Sequence, residues 1–180
     1  DLTWVKRRSG TAEHQILDSI RGYRKFLSSD GSGAELDRGY FHSFDTDGFS
    51  VETGVSNTNN SGSTYVAWNW DMGANSPTGF GATVYKGQGG LTPVTGIGFQ
   101  PDLVWIKNRD AAESHSLTDA VRGVKKRLKS EGTAAQDNGG ITTFDPDGFT
   151  TSDGYGSDGD GSGHDFVVWN WLAGNATLGT

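Results

Sequence analysis

The residues with the clearest potential for chemistry form the pattern H-x-x-x-D-x-x-R-G, which occurs twice in the chain. An aspartate can orient a histidine, and the oriented histidine can then act as a general base. No serine or other nucleophile recurs beside both copies, however, and a doubled pattern equally suits a doubled structural bond. We therefore favour Asp–Arg or Asp–His bonds that fix a loop, and expect no catalytic residue in either set, His14, Asp18 and Arg21 or His115, Asp119 and Arg122.

A second candidate site is a glycine-rich loop that is crowded with carboxylates. Asp153, Asp158 and Asp160 would offer the hard oxygen ligands that Ca²⁺ takes. Their spacing matches no EF-hand loop, and the corresponding loop of the first half of the chain, "SNTNNSGST", carries no carboxylate. A solvated acidic loop is the favoured interpretation, so the sequence predicts no bound metal and no other cofactor.

Four tryptophans lie in two similar phrases, "YVAWNW" at 65–70 and "FVVWNW" at 166–171. An indole can stack on the apolar face of a pyranose ring, and it can equally pack in a core. Val66 and Val167 share a strand face with these tryptophans, which favours core packing and buried indoles. The glycan-binding candidates are Trp68, Trp70, Trp169 and Trp171.

Two N-glycosylation sequons occur, "NNS" at 59–61 and "NAT" at 175–177. They make Asn59 and Asn175 candidate acceptors for a glycan. A sequon has meaning only in a host that has the glycosylation pathway.

The chain contains an internal duplication. "DLTWVKRR" and "DLVWIKNR" match at a shift of 101 positions, as do "HQILDSIRG" and "HSLTDAVRG", whereas "FDTDGFS" and "FDPDGFT" match at a shift of 100. With the tryptophan phrases this makes four blocks in one order, which indicates duplication. The sequence predicts a first repeat unit at 1–78, linking strands at 79–101 and a second repeat unit at 102–180.

Composition and patterning predict an all-β fold. The chain has 28 Gly and only 33% hydrophobic residues, which favours many turns over long amphipathic helices. "FDTDGF" and "FDPDGF" each place a turn between two phenylalanines. A period near 100 residues suits a small β-sandwich, so we predict two tandem β-sandwich units of the jelly-roll or concanavalin-like type.

The segments 11–28 and 112–129 leave two alternatives open, because their apolar residues have helical spacing. Gly22 and Gly123 interrupt that spacing, and a glycine inside a helix costs about 1 kcal/mol relative to alanine. We therefore prefer a strand that ends at an Arg-Gly turn, with a short helix as the alternative.

Charge and residue usage exclude several classes of partner. The net charge is −7, so attraction to a phosphate backbone or an anionic membrane is not expected, and nucleic acid and membrane are not predicted partners. No apolar run approaches the roughly 18 residues of a membrane span. The absence of cysteine excludes disulfides and cysteine nucleophiles.

Four stretches of the second half carry a resemblance to a known family: "GIGFQPDLVWIKNRD", "DAVRG", "FDPDGF" and "VVWNWLAG". They resemble repeats found in tail-fibre and appendage proteins of marine and freshwater phages and in related environmental sequences. The resemblance covers nearly the whole chain, twice, and implies a lectin-like β-sandwich on an extended, extracellular or virion-surface appendage, with no agreed catalytic residue. The first copy departs from it at "RRSG" and has no "GIGFQP" before Asp1.

The segment 79–101 occurs once, between the two copies, so one sheet edge should be incomplete. An open edge is a template for another chain. We therefore expect a non-enzymatic structural protein whose copies bind head to tail in a fibre, with a longer natural chain that supplies the missing strands as the competing account. The alternative function is a carbohydrate-binding, lectin-like module for cell-surface glycans, and a hydrolase built on the His/Asp pairs comes third.

Overall fold

The computed structural model describes residues 1–72, 79–151 and 159–173, and the regular structure within them is β. This part of the chain has no helix that is long and apolar enough to cross a membrane. The strands are β1 (Leu2–Arg7), β2 (Gln15–Asp18), β3 (Lys25–Phe26), β4 (Leu36–Asp37), β5 (Phe41–Asp45), β6 (Gly48–Val51), β7 (Tyr65–Trp70), β8 (Phe80–Lys86), β9 (Pro93–Thr95), β10 (Leu103–Asn108), β11 (Ser116–Asp119), β12 (Ile141–Asp145), β13 (Gly148–Thr151) and β14 (Asp165–Trp171).

The first unit is built on a three-stranded antiparallel sheet in the order β2-β1-β7. The hairpin β5–β6 and the ribbon β3–β4 complete it, and "FDTDGF" forms the hairpin turn as its sequence predicts. One face of the sheet packs on these elements in a core centred on Val5, Leu17, Phe26 and Phe41.

The second unit repeats this plan with two further strands. Its main sheet has the order β11-β10-β14-β8, and its second sheet has the order β12-β13-β9. Both additional strands, β8 and β9, come from the segment 79–101, so the predicted linking strands pair within the second unit. The core between the two sheets is formed by Val94, Val104, Ile106, Ile141, Phe149, Phe166 and Val168.

The two main sheets pack against each other through the faces that carry the tryptophans. Trp4 meets its counterpart Trp105 at 5.7 Å between ring centroids, and Trp70 meets its counterpart Trp171 at 5.7 Å, both edge to face. Side chains therefore alternate along β1, β7, β10 and β14 between a unit's own core and the contact between units. This double coverage explains why these strands are apolar on both faces. The contact is centred on Leu2, Ile16, Leu27, Trp105, Val167 and Trp169.

The two ambiguous segments fold as strands followed by turns. β2 and β11 each end at the aspartate of the repeated pattern, and Gly22 and Gly123 follow with φ of 99° and 90°. A positive φ is accessible to glycine at little cost, whereas it would break a helix. The preference for a strand with an Arg-Gly turn is confirmed.

The prediction of an all-β fold with two units is confirmed, while the jelly-roll or concanavalin-like type stays a prediction. The expectation that the tryptophans are buried is wrong for one of them. Trp169 has no exposed surface, but 44% of its counterpart Trp68 is exposed. The reason is local: β14 is covered by β8, and no described strand pairs with the outer edge of β7.

This difference gives a matched pair of variants. Trp169→Ala should lower the free energy of unfolding by about 3–5 kcal/mol, because it empties a fully buried site. Trp68→Ala should cost less than half as much, because much of that indole is already in water. Urea unfolding of both variants measures the difference. Equal losses would contradict the placement of Trp68 at an open edge.

Candidate functional site

The repeated Asp and Arg residues form bonds that close the turn after β2, where both side chains are buried, and the turn after β11, where both side chains are 24% exposed. Asp18 accepts hydrogen bonds from the Arg21 backbone N–H at 2.9 Å and from Arg21 Nε at 2.7 Å. Asp119 binds Arg122 in the same way, at 2.8 Å and 2.6 Å. Each arginine also donates to a carbonyl oxygen of the preceding strand. These bonds fix the backbone of the turn.

The two histidines of the pattern bond to tryptophan rather than to aspartate. Trp4 Nε1 donates to His14 Nδ1 at 2.9 Å, and Trp105 Nε1 donates to His115 Nδ1 at 2.8 Å. His115 Nε2 lies 2.9 Å from the carbonyl oxygen of Ser28, which fixes the neutral tautomer with its proton on Nε2. Both ring nitrogens of His115 are thus engaged, and this arrangement does not supply a general base.

Protonation of His115 is opposed by its surroundings. Burial lowers the pKa of His115 to about 4, and a proton on Nδ1 would face the indole N–H of Trp105. Burial also lowers the pKa of His14, although Asp30 opposes the shift. Both imidazoles therefore serve as neutral hydrogen-bonding groups.

A polar network joins the two units beside the tryptophans. Glu35 accepts hydrogen bonds from Arg109 Nε and Nη2, each at 2.9 Å, and from Arg21 Nη1 at 3.1 Å. Asp18 accepts a further bond from Trp169 Nε1 at 3.0 Å. Although burial alone would raise it, the pKa of Glu35 is held below its usual range by the two arginines. The network connects Asp18 of the first unit to Arg109 of the second.

Glu35 is a residue that the sequence analysis missed. Its counterpart at a shift of 101 is Gln136, which bonds to Arg122 at 3.3 Å. A position-by-position comparison of the two copies would have marked this exchange of an acid for an amide. Because Gln136 is uncharged, it cannot form an ion pair equivalent to the one between Glu35 and Arg109.

The structure describes only some of the remaining residues that were predicted as metal ligands or glycosylation sites. Asp153, Asp158 and Asn175 lie outside the described residues, whereas Asp160 is buried with 2% exposure. Within the described ranges no group of three or more metal-ligating side chains comes together. Asn59 follows the turn at 56–58 and donates its backbone N–H to the carbonyl oxygen of Val55 at 2.7 Å.

Three of the four candidate tryptophans line a pocket of about 370 Å³ between the units. Ser130 is the one residue of its lining without an apolar side chain. Sugar hydroxyls need several polar partners, so this pocket suits an apolar group better than a glycan. The lining is Leu2, Trp4, Ile16, Trp70, Leu103, Trp105, Leu117, Ser130, Trp169 and Trp171.

The outer edge of β7 is the clearest difference between the two units. β14 is bonded on both sides, to β10 and to β8, whereas β7 has β1 on one side and no described strand on the other. Asn69 is exposed, while its counterpart Asn170 is completely buried and donates to the Gly81 carbonyl oxygen of β8 at 3.1 Å. Among the residues that the structure describes, the first unit therefore presents a strand edge without a partner strand.

A groove of about 760 Å³ adjoins this edge. At the same place in the second unit, β9 pairs with β13 and passes so close to Gly148 that a Cβ there would overlap the Val94 carbonyl oxygen. A Cβ on the counterpart Gly48 would meet nothing within 4 Å. The groove thus corresponds to the space that β9 occupies in the second unit. It is lined by Asp1, Thr3, Phe44, Asp45, Thr46, Asp47, Gly48, Phe49, Asn69, Trp70 and Asp71.

The buried imidazole predicts a dependence of stability on pH. The pKa of His115 is about 4 in the folded protein, against 6.5 as its ordinary value. Unfolding therefore takes up a proton below pH 6.5, and the free energy of unfolding decreases as the pH is lowered. Between pH 6.5 and pH 5 the loss from this group should be about 1.5 kcal/mol. Urea unfolding at both pH values should show a smaller loss for His115→Gln than for wild type. His14→Gln is the matched control, and an equal loss in both variants would contradict the assignment.

Comparison with known proteins gives a family for the chain. The family Domain of unknown function (DUF7483) matches twice, at residues 1–82 and at residues 75–180. No curated protein and no solved structure matches. The second match includes β8 and β9, in agreement with the pairing of these strands within the second unit. The chain belongs to the family Domain of unknown function (DUF7483) and carries its domain twice.

Proposed function

We propose that the protein is a non-enzymatic structural repeat whose copies associate through strand edges into an extracellular fibre or phage appendage. The observation that carries the proposal is the open edge of β7, beside a covered β14 in the same molecule. Unpaired N–H and C=O groups along an edge strand favour the addition of another strand. The proposal accordingly assigns β7 to assembly rather than to chemistry.

A second edge on the same molecule allows the association to propagate. β8 pairs with β14 on one side, and no described strand pairs with its other side, where 40% of Val84 is exposed. Pairing of β7 in one copy with β8 in the next joins two different surfaces. A contact between different surfaces that does not close into a ring builds a filament.

The arrangement of the polar groups supports a structural role. Asp18 and Asp119 are engaged by arginines, and His115 is engaged at both ring nitrogens. These groups hold turns and join the two units, and none of them is arranged with a nucleophile as an acid–base pair would be.

Single charges on the two edges test the proposed contact. Trp68→Lys on β7 or Val84→Lys on β8 should each abolish filaments, because a lysine on an edge strand opposes strand addition. Analytical ultracentrifugation at rising concentration, with electron microscopy, measures the result. An equimolar mixture of the two variants should form dimers, since each keeps one intact edge. Leu91→Lys, at an exposed site outside both edges, is the control, and a wild-type chain that stays monomeric would contradict the proposal.

Carbohydrate binding is the second candidate function, and the exposed indole of Trp68 favours it. The neighbouring Asn69 offers an amide for sugar hydroxyls, and a pyranose can stack on an open indole. A glycan array with the wild-type chain should then give hits that Trp68→Ala loses and Trp169→Ala retains. An array without hits, or hits indifferent to Trp68→Ala, would count against this function.

A further inference from the structure

We propose that the β7 edge and the adjoining groove form one receptor for a polypeptide segment with the pattern of residues 79–101, supplied by another unit of the same repeat. The inference rests on the proposed function in taking β7 as an acceptor edge, and it adds the identity of the partner. The bound segment would complete the first unit as 79–101 completes the second.

The second unit shows how the first half of such a segment binds. β8 pairs with β14 in antiparallel register from Lys86 opposite Asp165 to Phe80 opposite Trp171. Phe80 packs on Trp171 at 5.0 Å between ring centroids, and Asn170 bonds to the backbone of Gly81. A strand of this pattern therefore needs an edge strand in which an asparagine is followed directly by a tryptophan, as Asn170 is by Trp171.

The second half of the segment binds around a carboxylate. Asp147 accepts hydrogen bonds from the backbone N–H groups of Gly98 at 2.6 Å and Gly96 at 3.0 Å. These bonds hold the pKa of Asp147 below its usual range. Gln100 Nε2 also donates to the Phe144 carbonyl oxygen at 2.8 Å. The turn "GIGFQ" is therefore held by an aspartate and by a backbone carbonyl of the hairpin β12–β13.

The first unit keeps these binding residues although no described strand occupies them. Asp47 and Gly48 line the groove as counterparts of Asp147 and Gly148. The phenylalanines of the hairpin and the W-N-W triplet of the edge are also unchanged between the units. The retained set is Phe44, Asp47, Gly48, Phe49, Trp68, Asn69 and Trp70, against Phe144, Asp147, Gly148, Phe149, Trp169, Asn170 and Trp171.

The occupant of the first unit is a further segment of this pattern, because residues 79–101 already pair within the second unit. The chain has two W-N-W edges but one segment of this pattern, at 79–101. If copies of the chain exchanged this segment, each newly filled first unit would leave a second unit empty. Edge-to-edge pairing with β8 of another copy satisfies the β7 backbone but leaves the groove unfilled. A free segment of the pattern fills both, so it should displace the edge-to-edge contact.

The experiment uses the full chain and a synthetic peptide of residues 79–101. We expect one peptide to bind per chain by isothermal titration calorimetry, to raise the melting temperature by about 5 °C at saturation and to dissolve filaments. Gly48→Ala should weaken binding at least tenfold, because its Cβ would enter the path of the peptide strand that takes the place of β9, while the unliganded fold keeps its melting temperature. Gly33→Ala is the matched control, since its Cβ also meets nothing within 4 Å, and it should bind as wild type does.

The outcomes separate this inference from the proposed function. Filaments that persist without any binding of the peptide would overturn the inference and leave the proposed function standing. Binding with equal affinity to wild type and Gly48→Ala, or binding of a scrambled peptide, would also overturn it. Specific binding to a chain that forms no filament at any concentration would support the receptor and count against assembly by β7.

Discussion

The fold depends on covering both faces of strands that have no polar face. β1, β7, β10 and β14 place one set of apolar side chains in the core of a unit and the other set, rich in tryptophan, on the opposite face of the sheet. A sheet with a large apolar face left in water would be unstable or would aggregate. Packing the two tryptophan faces together solves the problem for both units at once. The two copies therefore fold as partners, and each supplies the cover that the other needs.

Polar contacts then fix how the two faces meet, and they do so asymmetrically. Glu35 binds Arg21 within the first unit and Arg109 across the contact, whereas Gln136 stands at the corresponding place of the second unit. The indole of Trp169 is bonded to Asp18 and lies under the Arg21 guanidinium at 5.5 Å. An aromatic face alone allows sliding, because dispersion is not directional. The partly buried ion pair between Glu35 and Arg109 has a fixed geometry that selects one arrangement, and the two copies occupy environments that are no longer equivalent.

The local features of the fold were readable from the sequence, while the long-range ones were not. Glycine at Gly22 and Gly123 and the turn in "FDTDGF" are signals within a few residues, so the turns and hairpins followed from them. Alternation also identified strands such as β7. It could not tell what covers each face, because that depends on residues about 100 positions away. For the same reason Trp68 was expected to resemble Trp169, and the bonds from tryptophan to His14 and His115 were missed. Glu35 carries no motif and becomes visible only beside Gln136.

The close packing of indoles between the units determines what the fluorescence and circular dichroism of this protein measure. Five of the chain's six tryptophans belong to the contact between the sheets, and several ring centroids lie within 6 Å of one another. Intrinsic fluorescence and near-ultraviolet circular dichroism are therefore dominated by the docking of one unit on the other. Opening of the contact would change both signals even if each sheet kept its backbone pairing. Far-ultraviolet dichroism reports that pairing separately, so the two optical signals divide the unfolding of the chain into separation of the units and loss of their strands.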